Sequence, residues 1–128
     1  MATEKGVVVF NTPGGNANAV KELVICGLLL SSRGIIQGHK FTQNIEETNS
    51  NDVTNLVESN KKTFKGSELK GKTIGIIGLG SIGSLLAQSV ESMGMKIIGY
   101  DPNISIDSAW QLPKDCLLYT SPSPRDVR

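Results

Sequence analysis

The stretch from Lys72 to Pro102 constrains this chain more than anything else in it. Lys72-Thr73-Ile74-Gly75-Ile76-Ile77 is a short, β-branched, apolar run without polar alternation, the pattern of a central parallel strand covered on both faces. It runs straight into Gly78-Leu79-Gly80-Ser81-Ile82-Gly83. Beyond that turn Ile82, Leu85, Leu86, Val90 and Met93 recur at helical spacing while Ser81, Ser84, Gln88 and Glu91 take the opposite face. That spacing predicts an amphipathic helix, closed by Gly94. Met95-Lys96-Ile97-Ile98-Gly99-Tyr100 reads as a second strand, ending at Asp101 and stopped by Pro102, which fixes φ and has no N–H for a ladder. A strand, a glycine turn, a helix, a second strand and a terminal acid, in that order, point to an α/β fold built on a doubly wound parallel sheet.

Each glycine of the turn has its own steric purpose. Gly78 permits the tight strand-to-helix reversal, Gly80 lacks the Cβ that would hold the backbone away from a diphosphate, and Gly83 lets the helix approach the strand. The free N–H groups at the helix start, around Ser81 and Ile82, point at a pyrophosphate and add the positive end of the helix dipole. Asp101 lies eighteen residues beyond Gly83, where a carboxylate accepts hydrogen bonds from ribose hydroxyls and repels a 2′-phosphate, so NAD is favoured over NADP. Tyr100 is placed either beside the adenine or over the core.

The rest of the chain carries less chemistry. Gly6 to Phe10 reads as a strand and Asn11-Thr12-Pro13-Gly14-Gly15 as a turn. Asn16 is positioned to N-cap a helix that continues through Leu30 to a stop at Arg33 and Gly34. Apolar residues cover more than one face of that helix, which predicts burial between other elements. From Gly38 to Asn60 the sequence is rich in Asn, Thr, Glu and Ser, a surface loop with one weak helix around Asn51 to Glu58. Thirteen Lys+Arg against twelve Asp+Glu leave no surplus to hold a polyanion, so nucleic acid is a poor partner. The longest strongly apolar run, Leu23 to Leu30, falls far short of the roughly 18 residues a membrane span needs. Two cysteines, Cys26 and Cys116, make neither a disulfide framework nor a metal-ligand spacing, and a reducing, cytosolic-type compartment is the default. Cys26 reads as a core thiol, the single histidine His39 as solvent-exposed, and Arg33 as a helix-end cation. From Cys116 the chain turns abruptly Ser/Pro-rich. This tail resembles the conceptual translation of a sequencing-library adapter, so residues 116–128 are expected to lie outside the fold.

Two stretches resemble a known family. Asn11-Thr12-Pro13-Gly14-Gly15-Asn16-Ala17-Asn18-Ala19-Val20-Lys21-Glu22-Leu23 is similar to the helix that crosses from substrate domain to nucleotide domain in D-isomer-specific 2-hydroxyacid dehydrogenases. Phe64 to Gly83 is similar to the same family's lead-in and glycine fingerprint, and Met93 to Pro102 continues the likeness. The resemblance implies a partial Rossmann NAD-binding domain with the preceding interdomain helix, divided as the last strand of a substrate domain (1–10), crossing helix and connecting loop (11–70), the first βαβ unit (71–115) and a non-native tail (116–128). It implies hydride transfer between NAD and a small 2-hydroxy acid, with 3-phosphoglycerate the favoured substrate, serine biosynthesis the pathway, and a homo-oligomer at full length. Ser81 and Ile82 fall at the pyrophosphate positions, Asp101 at the ribose position and Val20 near the nicotinamide. The family's catalytic Arg, Glu and His come later than residue 115, so no residue here inherits those roles and the chain alone is expected to be inactive. An NAD-sensing corepressor module and an NAD-retaining hydrolase of adenosylhomocysteine share the fold and fingerprint and stay open at this level.

Overall fold

Strand β1 spans Thr73–Ile77 and strand β2 spans Lys96–Tyr100, the two apolar runs that flank the glycine turn. In this computed structural model, which describes residues 2–46 and 49–119, they pair in parallel from Thr73 opposite Lys96 to Ile77 opposite Tyr100. A third strand, β3 (Leu117–Tyr119), adds in parallel to the other side of β2, giving the order β1-β2-β3. The helix between β1 and β2 covers Ser81–Ser92. It ends where Gly94 turns left-handed at φ +76°, with the Gly94 N–H donating to the Glu91 carbonyl (2.7 Å) and the Met95 N–H to the Val90 carbonyl (3.1 Å), the glycine stop the sequence predicts. Leu79, Leu86, Ala87 and Val90 bury against Ile76, Met95 and Ile97, and each large side chain taken out of water contributes about 1.5–3 kcal/mol.

The first helix, α1, covers Ala17–Ser32, beginning directly after Asn16, though the Asn16 side chain makes no capping bond. It packs against the 81–92 helix, and its Ile25 and Leu28 join the edge of the core. Burial between other elements is not what the structure shows. Leu23 is 71% exposed, and Val24, Cys26 and Leu29 are also open, because among the described residues only one neighbouring helix covers α1.

Three further expectations change. The 38–60 stretch holds two helices instead of a loop with one: α2 (Ile35–Gln43) and α3 (Ser50–Asn60). The signal lay in aromatic pairing across a distance, since the Phe41 ring meets Phe64 at 5.2 Å in the 3-10 turn Lys61–Phe64. Three hydrogen bonds then clip the end of α1 to the returning chain: Gly34 N–H to the Phe64 carbonyl (3.1 Å), Ser67 N–H to the Ser32 carbonyl (2.8 Å), and Arg33 Nε to the Lys65 carbonyl (2.9 Å). Gly6 to Phe10 is not a strand; among the described residues it has no partner strand to pair with, and Val8 and Phe10 stand exposed, so β-branched composition alone does not make one. Among the described residues the sheet is covered on one face only: Ile76 is buried but Ile77 is 88% exposed and Gly75 faces open space.

With those helices in place, the 81–92 helix is α4 and the short helix Ile106–Trp110, which links β2 to β3, is α5. Ser105 caps α5 by accepting the Ser108 N–H (3.1 Å). The expectation that the fold stops before Cys116 fails for residues 116–119. Pairing uses the backbone, and the free edge of β2 accepts Leu117–Tyr119, while Cys116 packs against the core. Residues 120–128 lie outside the described residues. No helix among the described residues is long and apolar enough to cross a membrane.

Candidate functional site

The three glycines of the turn differ in what makes them glycine. Gly78 has φ +92°, the left-handed region that side chains disfavour. Gly83 is buried, and a Cβ there would sit 2.0 Å from the Gly78 carbonyl oxygen, so the first turn of α4 rests on the backbone of β1's exit. Gly80 is under neither constraint. Its φ is −72° and ψ −160°, open to any residue, and a Cβ there would meet nothing within 4 Å. Neither φ nor packing in the fold demands a glycine at residue 80.

Gly80 is also the N-cap of α4, and no side chain caps that end. The N–H groups of the first helical turn lack intrahelical partners by geometry, so the donors around exposed Ser81 and half-buried Ile82 face outward with the positive end of the dipole. The one serine the sequence assigned wrongly is Ser84. Placed on the polar face, it is instead fully buried, tolerated because it is small and its Oγ donates to the Gly80 carbonyl (2.7 Å).

The end of β2 holds the turn from the other side. The Gly78 N–H donates to the Tyr100 carbonyl (2.8 Å). The Leu79 N–H donates to Asp101 Oδ2 (2.7 Å), and the Asn103 N–H donates to Asp101 Oδ1 (2.8 Å). Asp101 thus already has one backbone donor on each oxygen; each keeps a second lone pair that can accept a further donor. The Tyr100 ring is exposed at the strand end and does not cover the core. Val20 is half-buried near the start of α1. The turn that leads into α1 reaches α4: a Cβ on Gly14 would lie 3.9 Å from the Ser81 Cβ, so the N-terminal ends of the two helices lie side by side.

Sequence reasoning missed Leu79 and Gly99. Leu79 is completely buried, and a Cβ on Gly99 would strike its Cδ1 at 2.8 Å. A glycine inside a strand is itself a signal of close approach. Other singled-out residues lie elsewhere: His39 and Arg33 are exposed, and Cys26, read as a core thiol, is exposed as well, since it lies on the face of α1 that none of the described residues covers. Among the described residues no group of His, Cys, Asp and Glu could hold a metal ion. A cavity of about 600 Å³ lined by Thr73, Met95, Lys96, Lys114 and Cys116 opens at the opposite end of the sheet, where the strands begin, far from the glycine turn. Burial pushes the Cys116 thiol above its ordinary pKa, and the charge of Glu91 adds to this while a hydrogen bond from the Gly99 backbone opposes it.

Comparison with known proteins agrees with this geometry. Residues 27–116 match the family described as D-isomer specific 2-hydroxyacid dehydrogenase, NAD binding domain. The chain is 42% identical over 109 residues to D-3-phosphoglycerate dehydrogenase of Rattus norvegicus, covering 84% of this chain and 18% of that protein. It is 41% identical over 103 residues to the enzyme of that name from Methanocaldococcus jannaschii, covering 80% of this chain and 17% of that one. Hydroxypyruvate reductase of Thermotoga maritima matches at 42% over 101 residues, covering 79% of this chain and 29% of that protein. Among solved structures, D-lactate dehydrogenase with NAD+ from Lactobacillus jensenii superposes with a TM-score of 0.58 at 22% identity, covering 94% of this chain and 32% of that one, a likeness of fold. The chain therefore spans less than a third of these relatives, and by its sequence match it belongs to the D-isomer-specific 2-hydroxyacid dehydrogenase family, within the NAD-binding domain.

Proposed function

We propose that this chain carries the pyrophosphate and adenosine half of the NAD site in a 2-hydroxyacid dehydrogenase. The observation that carries the reading is Gly80: its backbone is ordinary and its surroundings empty, so the absence of a Cβ serves a ligand. In this reading the amides of Ser81 and Ile82 donate to the pyrophosphate, with Gly78, Gly80 and Gly83 shaping the turn that presents them. Asp101 accepts from the ribose hydroxyls on the lone pairs its backbone donors leave, and its charge disfavours a 2′-phosphate. Tyr100 lies beside the adenine and Val20 toward the nicotinamide. NAD, when bound, supplies the hydride acceptor; the protein's share is orientation and proton handling.

The substrate is a small 2-hydroxy acid, with 3-phosphoglycerate, and with it serine biosynthesis, the first choice on the strength of the phosphoglycerate dehydrogenase relatives; hydroxypyruvate is the competing partner, supported at equal identity by the Thermotoga relative. The full-length protein works as a homo-oligomer. Residues 116–128 are read as a non-native tail, supported by a family match that includes Cys116 and extends no further; a genomic read encoding the same tail would remove that reading. The chain as given has no acid/base histidine at the glycine turn and turns over no 2-hydroxy acid, whereas the gene-length protein does.

The direct test is calorimetric titration of the 128-residue chain with NAD and with NADP, its helix content checked by circular dichroism. Saturable binding that is tighter for NAD is expected. A folded chain that takes up neither nucleotide, or NADP equally well, overturns the proposal, and NADH formed above the no-enzyme rate overturns the inactivity.

A further inference from the structure

Three consecutive residues at the end of β2 grip two consecutive residues of the glycine turn. The Tyr100 carbonyl accepts the Gly78 N–H at 2.8 Å. Asp101 Oδ2 accepts the Leu79 N–H at 2.7 Å. Gly99 leaves the recess that the Leu79 side chain fills: a Cβ on Gly99 would lie 2.8 Å from Leu79 Cδ1, 3.3 Å from its Cδ2 and 3.4 Å from Cys116 Sγ. Leu79 has no exposed surface, so its side chain has little freedom to swing clear.

We propose that Asp101 and Gly99 are positioning residues for the pyrophosphate site: together they latch Leu79 to β2 and thereby fix where Gly80, Ser81 and Ile82 present their amides. This rests on the reading that those amides hold a pyrophosphate. It gives Asp101 a second task. A carboxylate hydrogen-bonded to a backbone N–H makes a charge-assisted bond, stronger than a neutral one. The Leu79 amide is the donor in that bond, so it is committed to the latch and is not one of the ligand's donors. The latch also explains why a glycine sits inside β2, where it weakens the strand unless something approaches closely. Because Asp101 is anchored through its other oxygen by the Asn103 N–H (2.8 Å), the carboxylate is held in place on its own strand before it reaches across to the turn.

Two roles for Asp101 give opposite signs with inorganic pyrophosphate as the probe, since pyrophosphate has no ribose. If Asp101 serves only the ribose, its negative charge repels the anion, and Asp101→Asn tightens pyrophosphate binding. If Asp101 latches the turn, the same variant loosens it, because asparagine has one acceptor oxygen for two backbone donors. The companion measurement needs no ligand: amide hydrogen exchange by NMR on the full chain, with Ile76 and Ile97 as reporters of an intact sheet. With those reporters unchanged, Asp101→Asn is expected to raise exchange at Leu79 by about tenfold or more, the scale of one lost charge-assisted bond. Gly99→Ala is expected to do the same and to weaken pyrophosphate, and adding Leu79→Val, which withdraws the Cδ atoms the new methyl strikes, is expected to restore part of the binding. Unchanged exchange at Leu79 in both single variants overturns the latch, as does tighter pyrophosphate binding in Asp101→Asn. A wild-type chain that binds neither NAD nor pyrophosphate overturns the proposed function instead, and exchange at Leu79 then decides the latch by itself.

Discussion

Gly80→Ala and Gly83→Ala add the same methyl three residues apart and should act in different ways. At Gly80 the backbone is at φ −72° and ψ −160°, and the new methyl meets nothing within 4 Å. Alanine there restricts the unfolded chain, a gain of about 0.4–1 kcal/mol, and replaces glycine at the N-cap of α4, a loss of similar size, so stability should stay within about 1 kcal/mol of wild type. If the proposed pyrophosphate site is right, the same methyl stands where the ligand must approach the amides of Ser81 and Ile82, and NAD affinity should fall by at least about tenfold, roughly 1.4 kcal/mol. At Gly83 the methyl would lie 2.0 Å from the Gly78 carbonyl oxygen, backbone against backbone, with no side chain able to yield. Overpacking costs about 1–3 kcal/mol, and a clash this deep belongs at the upper end, so a loss of about 3 kcal/mol is expected. For a domain of this size that lowers the thermal midpoint by roughly 10 °C or more. Thermal unfolding followed by circular dichroism, paired with NAD calorimetry, reads both effects. A Gly80→Ala chain that binds NAD like wild type would refute the assignment of that glycine to the ligand. A Gly83→Ala chain that melts at the wild-type temperature would refute the close approach of α4 to the turn.

Gly78→Ala should cost about 1–3 kcal/mol in urea unfolding, because alanine is strained at φ +92°; an unchanged midpoint would remove the left-handed turn. Leu86→Ala, in the buried core of α4, should cost about 2–5 kcal/mol, whereas Leu23→Ala, on the open face of α1, should stay within about 0.5 kcal/mol of wild type; equal losses would mean α1 is covered in solution. Maleimide should label exposed Cys26 ahead of half-buried Cys116, as mass spectrometry of a time course would show. The raised pKa of Cys116 comes first from burial, which penalises the thiolate. Its folded pKa therefore lies above its unfolded one, so its contribution to stability is intact below the ordinary thiol range and is lost as pH rises through the folded value. Cys116→Ser should flatten that alkaline loss, and an identical alkaline limb in both chains would count against the burial.

What was legible in the sequence is what local chemistry decides. Both strands around the turn, α4 and its Gly94 stop follow from apolar periodicity and glycine placement, and these elements lie where the residues predict them. What was not legible depends on partners far along the chain. Gly6 to Phe10 has the composition of a strand but no pairing neighbour among the described residues, and pairing, not propensity, makes a strand. The helix α2 reads as loop because its one aromatic anchor, Phe41, finds Phe64 more than twenty residues later. Leu117–Tyr119 falls in the tail that resembles a translated adapter, yet a parallel ladder asks only for a free backbone edge.

The site shows the same division inside a few residues. Gly78, Gly80 and Gly83 announce a turn by spacing alone, but spacing cannot rank them; the left-handed φ of Gly78 and the Cβ clash at Gly83 separate these two from Gly80, which is under neither constraint. Gly99 is the sharper case. In sequence it is a weak point in an otherwise β-branched strand, with no motif to attach it to. In the fold it lies directly under Leu79, the variable residue of the fingerprint that spacing rules leave unassigned. Leu79 in turn reaches Asp101 through its amide. Gly78 and Gly83 therefore let the turn exist, while in the proposed latch the unassigned leucine and the strand glycine decide where it sits. A ligand that reads backbone amides depends on both.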